Sequence, residues 1–210
     1  MNYPQDQPPG ISREAFECKM CGKCCEGKNI AILPHEAKKM AKFLGMPYER
    51  FMSTYCEITY IPTPLGFVPI FSLKREDNRC IFLREKKCSI YPVRPGQCRL
   101  YPLNFSAYFI YTGEFRYEPD VHGYLITLAP NKGIVVADYC PGWKITAEEL
   151  YNNLFKYVNV VRALSALNAR EKEVMGFYNR YYRLAQISKM LQLGTKGLEM
   201  ILKRLFGLAR

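Results

Sequence analysis

Apolar positions along the chain follow two rhythms, and the switches between them outline its architecture. Ile30-Ala31-Ile32-Leu33 leads to Pro34, and Ala37, Met40, Ala41 and Leu44 follow three and four residues apart, up to Gly45. The first helical N–H groups have no intrahelical partner, so a proline there loses nothing. The spacing therefore predicts a helix opening at Pro34 and stopped by Gly45. A second short helix is expected from Pro47 to Tyr55. From Ile58 to Leu73 the rhythm becomes β-like on both sides of Pro64-Leu65-Gly66, which predicts a hairpin. Residues 80 to 102 read as a short strand at 81 to 84, a tight Lys86-Lys87 turn and a loop punctuated by Pro92, Pro95, Gly96 and Pro102. Strands are expected at 105 to 111, 115 to 117, 124 to 128 and 133 to 137, with turns at Thr112-Gly113 and Asn131-Lys132-Gly133.

The last third returns to helical spacing. Thr146-Ala147-Glu148-Glu149 is a capping-box sequence, and Leu150, Leu154, Tyr157, Val158, Val161 and Leu164 mark one face of the helix it opens. Asn168-Ala169-Arg170-Glu171 caps a second helix with Val174, Phe177, Tyr178, Tyr181 and Leu184 as its stripe, ending near Gly194. A third helix from Thr195 presents Leu198, Ile201, Leu202 and Leu205, with Lys196, Lys203 and Arg204 elsewhere on it. Core packing is the ordinary meaning of such stripes. A basic amphipathic helix like the last also suits an anionic membrane face or ribosomal RNA. No internal repeat is evident.

Composition narrows this picture. A chain of 210 residues that is 49% hydrophobic buries a core without covalent staples. Its nine cysteines are an odd number, and the first ten residues are polar and proline-rich rather than a secretory leader. No stretch approaches the roughly 18 apolar residues that span a bilayer. A soluble protein in a reducing cytoplasm is expected, with cysteines that bind metal rather than form disulfides. A net charge of +11 suits an acidic partner such as nucleic acid. Part of that excess is also what a thiolate centre requires, since four thiolates around a 2+ core carry about 2−.

The chemistry of the chain lies in Cys18-Lys19-Met20-Cys21-Gly22-Lys23-Cys24-Cys25, answered by Cys80, Cys88, Cys98 and Cys140. Thiolates separated by two residues can be turned by one loop toward a single centre, and Gly22 relieves the steric cost of the turn. The Cys18-x2-Cys21-Gly22 portion is a knuckle that zinc and iron both use. Three cysteines at successive two-residue gaps favour a cubane iron-sulfur cluster, 4Fe-4S. Cys24 and Cys25 are neighbours whose side chains diverge, so they serve two centres, or one centre and its surroundings, more easily than one ion. The spacing does not fix which cysteine belongs to which site. Cys56 stands apart and reads as a small buried hydrophobe. Arg94 and Arg99 flank the second cysteine group, where they either donate to sulfur or form ordinary ion pairs. His35, at a helix start, reads as a polar or capping residue, and His122 as a turn residue. Nucleophile elbows, zincin motifs and phosphate-binding glycine loops are missing, so no catalytic residue is assigned.

The cysteine run, with Cys80-Ile81-Phe82-Leu83, Cys88-Ser89-Ile90-Tyr91, Arg94-Pro95-x2-Cys98-Arg99 and Tyr101-Pro102, resembles the YkgJ-like CxxCxxCC cysteine-cluster family, described as zinc- or iron-chelating. The resemblance covers residues 16 to 142. It implies a ligand set of Cys18, Cys21, Cys24, Cys25, Cys80, Cys88 and Cys98, with Cys140 in the place of a later cysteine. Flagellin lysine N-methylases hold a similar cluster, which implies a third activity, S-adenosylmethionine-dependent protein methylation, beside the two below. The expected fold is α+β. An arm over residues 1–15 precedes a metal-binding domain over 16–143, in which short helices and a small antiparallel sheet surround the metal, and a helical segment over 144–210 packs on it. The first functional expectation is an iron-sulfur protein with a redox or protein-modification role. The second is a zinc-stabilised module docking on RNA, a ribosome or another acidic partner.

Overall fold

The structure is a computed structural model that describes residues 7–27, 29–63, 66–104, 116–118, 123–129, 132–137, 140–163, 165–166, 168–170, 172–174, 176–177, 183 and 194–208. Along the chain come α1 (Pro34–Phe43), α2 (Tyr48–Tyr55), β1 (Cys56–Thr63), β2 (Gly66–Leu73), β3 (Arg75–Glu76), β4 (Arg79–Cys80), β5 (Leu83–Arg84) and β6 (Lys87–Cys88). A 3-10 turn at Tyr91–Val93 precedes α3 (Gly96–Leu100), β7 (Leu103–Asn104), β8 (Arg116–Glu118), β9 (Gly123–Ala129) and β10 (Lys132–Ala137). The chain ends through α4 (Ala147–Asn152), α5 (Leu154–Tyr157), further helical residues from Val160 and α6 (Gly194–Leu205). This is an α+β protein. Its residues group into two compact units, neither continuous in sequence: Met1–Cys24, Glu85–Cys88 and Gly96–Glu171 form unit 1, and Cys25–Arg84, Ser89–Pro95 and Lys172–Arg210 form unit 2.

In unit 2, α1 begins at Pro34 as the spacing requires. The Glu36 carboxylate accepts the Leu33 N–H at 2.8 Å, which satisfies one of the donors a helix start leaves over. Ala37, Met40 and Ala41 are buried, and Gly45 ends the helix at φ +65°. The Met46 N–H closes the end by reaching the Ala41 carbonyl at 3.1 Å. α2 buries Phe51 and Met52. The Phe82 ring lies 6.3 Å from Phe51 and 4.9 Å from Tyr55. β1 and β2 pair in unbroken antiparallel register from Cys56↔Leu73 to Thr63↔Gly66. A two-stranded ribbon is all edge, so it tolerates Pro62 and Pro69 in its strands. The apolar stripe of α6 packs inward at Leu202, and Phe206 just beyond it lies 4.6 Å from the Phe71 ring and 5.6 Å from Phe177. Lys196, Lys203 and Arg204 stay exposed.

In unit 1 a four-stranded antiparallel sheet runs β7-β10-β9-β8. The core gathers Ile11, Ala15, Phe16, Leu103, Leu150, Tyr157, Val158 and Ala163, with Cys18, Cys140 and Trp143 packed against it. Phe16 anchors the first segment: it is 2% exposed and meets the Trp143 ring edge-on at 5.2 Å. Thr146 caps α4 by accepting the Glu149 N–H at 3.0 Å.

Several sequence expectations change. The helix expected from Thr146 to Leu164 breaks at Asn153 (φ −125°, ψ 35°), and Val158 is extended because it bridges Ile11. That β-branched residue gains a strand partner that the helical stripe could not reveal. The strand at 81 to 84 shortens to β5, with Ile81 and Phe82 buried in the preceding turn. The tight turn falls one residue earlier, at Glu85-Lys86, both at positive φ. α3 occupies ground read as loop, and β7 lies between that loop and the strand expected from residue 105. The strand at 105 to 111, the Thr112-Gly113 turn and His122 lie outside the described residues.

Candidate metal centre

The first three thiols sit on a loop shaped by left-handed backbone. Met20 takes φ 48° and Gly22 φ 78°, and a 3-10 turn, Lys23–Cys25, follows directly. Gly22 adopts that angle without steric cost, whereas Met20 costs about 1–2 kcal/mol as a residue with a Cβ. The chain thus turns at Gly22, as the sequence reading expected. Cys98 rides on α3, and Cys88 and Cys80 end β6 and β4.

Those last two cysteines share a local device that spacing alone did not expose. Asp77-Asn78 takes φ 48° and 63°, and Glu85-Lys86 repeats the same two angles, each pair standing two residues before a cysteine. Successive left-handed residues make the tight hairpin corner that suits the twist of β-ribbons. The sequence signal is a pair of polar residues, then one basic residue, then cysteine: Asp77-Asn78-Arg79-Cys80 and Glu85-Lys86-Lys87-Cys88.

Cys140 follows β10 and stands at the Pro141-Gly142 turn. The Gly142 N–H donates toward its sulfur, and the buried Tyr101 hydroxyl near it favours the thiolate. Burial nonetheless pushes the Cys140 thiol above its ordinary range, and Cys21 and Cys24 push it further because their thiolates repel a third. Cys21 and Cys24 thus act on Cys140 through space, and the unit that holds these three also contains Cys18, Cys88 and Cys98. A cation reverses that repulsion and displaces the protons.

Unit 2 holds Cys25, Cys56 and Cys80, all buried. Burial pushes the Cys56 thiol up to about 12, as its reading as a buried hydrophobe implies. Among the described residues, no group of three or more histidine, cysteine, aspartate or glutamate side chains is arranged to hold a metal ion. The cysteines gathered in unit 1 offer sulfur donors, a type that fits zinc or iron. His35 instead faces Glu173 at 4.0 Å on the surface. Arg94 is buried with its guanidinium 3.7 Å over the Tyr91 ring.

The family described as "CxxCxxCC: Putative zinc- or iron-chelating domain" matches residues 17–140. The chain belongs to the CxxCxxCC family. All nine cysteines of this CxxCxxCC protein lie within the match. An uncharacterized protein of Methanocaldococcus jannaschii is 28% identical over 149 residues, covering 70% of this chain and 68% of its own. No solved structure matches. Among the described residues, no helix is long and apolar enough to cross a membrane.

Proposed function

We propose that this protein holds a cysteine-ligated 4Fe-4S cluster in unit 1 and uses it in electron transfer or in a modification reaction. One observation supports the reading: the loop turned by Gly22 carries Cys21 and Cys24, and both act electrostatically on Cys140. Cys18, Cys88 and Cys98 are the other ligand candidates of that unit. Such a cluster, when bound, supplies one-electron chemistry. The chain's own contribution is to hold thiolates. The Gly142 N–H stabilises negative charge on Cys140 sulfur, and hydrogen bonds to sulfur tune the potential of iron-sulfur centres. A reducing compartment such as the cytoplasm is part of the proposal, because these ligands work as free thiolates. Anaerobically purified protein should be brown and should bleach on reduction with dithionite. A colourless protein that carries zinc refutes the cluster.

A second reading rests on α6 and the net charge of +11. Lys196, Lys203 and Arg204 are exposed while Leu202 is buried, so the helix can pack on its own unit and still present cations to RNA, a ribosome or another acidic partner. Zinc would then be a structural support. Association with RNA that falls steeply as salt rises supports this reading. Salt-independent association removes it.

A further inference from the structure

Glu26 and Arg79 form an antiparallel bridge in unit 2, and the next rung on one side is closed by the Gly27 N–H donating to the Asn78 carbonyl at 2.9 Å. The next rung on the other side sets Cys25 opposite Cys80. Burial follows the same alternation. Glu26 and Arg79 are exposed and joined by an ion pair at 3.3 Å, whereas Cys25 is 8% and Cys80 5% exposed. Opposed residues of an antiparallel pair have Cα atoms about 4.5–5.5 Å apart, close enough for both sulfurs to reach one ion. Cys24 precedes Cys25 in a 3-10 turn, whose three residues per turn direct neighbouring side chains about 120° apart.

We infer that the adjacent thiols are divided between two metal sites: Cys25 acts with Cys80 in unit 2, and Cys24, directed away from it, acts with the cysteines of unit 1. The inference rests on the metal-binding reading above. The unit 2 pair supplies two of the four donors of a tetrahedral site for a thiophilic divalent ion such as zinc or ferrous iron. The division also gives a function to the doubled cysteine at the end of the C-x2-C-x2-C-C run, one half for each site.

The test uses the purified full chain with its metal. Metal is withdrawn with increasing chelator, unmasked thiols are alkylated at each step, and the modified cysteines are mapped by mass spectrometry. Cys25 and Cys80 should become reactive together, in a step separate from Cys21, Cys24 and Cys140. The Cys25→Ser/Cys80→Ser variant should lose the metal of one step and keep that of the other, and each single variant should lose the same fraction as the double. Unmasking of Cys24, Cys25, Cys80 and Cys140 in a single step overturns the division, as does loss of all metal from a Cys25→Ser/Cys80→Ser variant whose circular dichroism is native. A wild-type protein without metal overturns the metal reading itself, and the division with it.

Discussion

Replacing Gly142 by alanine tests whether the core and the candidate centre are one structure. An alanine Cβ at this position would lie 2.6 Å from Cε2 and 2.9 Å from Cζ of Phe16, and 2.8 Å from the Glu17 carbonyl oxygen. The ring cannot swing aside freely, because Phe16 is buried against Trp143 at 5.2 Å. The Glu17 oxygen is backbone, and the Glu17 N–H is already bonded to the Gly142 carbonyl at 2.9 Å. Overpacking of this kind costs about 1–3 kcal/mol, and the backbone clash favours the upper part, about 2–3 kcal/mol. For a chain of this size that corresponds to a fall in Tm of about 4–12 °C. The same shift displaces the Gly142 N–H from Cys140 sulfur, so metal retention should fall with stability. Thermal unfolding followed by circular dichroism, with metal content measured in parallel, reads both. Gly176→Ala is the control: this helical glycine is exposed, with nothing within 4 Å of an added Cβ, so alanine should stabilise by about 0.5–1 kcal/mol. A Gly142→Ala protein with wild-type Tm and wild-type metal content would refute the reasoning.

Other consequences are as direct. Thr146→Ala removes the α4 cap and should cost about 1 kcal/mol, while Thr146→Ser keeps the hydroxyl and should cost less, both read by urea denaturation. Cys56 has its folded pKa raised to about 12 from 9.0, so its contribution to stability is complete below pH 9 and is lost as pH rises toward 12. The stability difference between wild type and Cys56→Val should accordingly shift in favour of the variant across that window, with metal content unchanged at neutral pH; a difference independent of pH would contradict the burial argument. Metal present at a thousandfold excess over its Kd stabilises the folded chain by about 4 kcal/mol. Stripping it should lower Tm by about 8–16 °C, and an apo protein with unchanged Tm would remove any structural role for the metal.

What could be read from the sequence was local chemistry. Pro34 with Gly45 and Thr146 with Glu149 each act within a few residues of themselves, and α1 and α4 begin where they announce; β1 and β2 pair antiparallel, as the expected hairpin requires. Gly22 announced the knuckle for the same reason. Long-range partners were not legible. Val158 leaves its helical stripe because Ile11, far away in sequence, pairs with it. α3 carries Cys98 through a stretch whose prolines and glycine suggested only loop. Glu85 and Lys86 have no strong preference for left-handed backbone, so the hairpin corner they form was placed one residue late. The sequence reading left open which cysteine belongs with which, and the division proposed between Cys24 and Cys25 draws on the bridge between Glu26 and Arg79, residues far apart in sequence.

The central claim is that these thiols hold a metal, and iron as a cluster. Iron, zinc and acid-labile sulfide measured together on anaerobically purified full-length protein test it most directly. The account predicts iron and sulfide in equal amounts, about four of each for the unit 1 cluster. Zinc without sulfide would contradict the cluster, and a folded protein with neither metal, all its accessible thiols open to alkylation, would contradict the claim altogether.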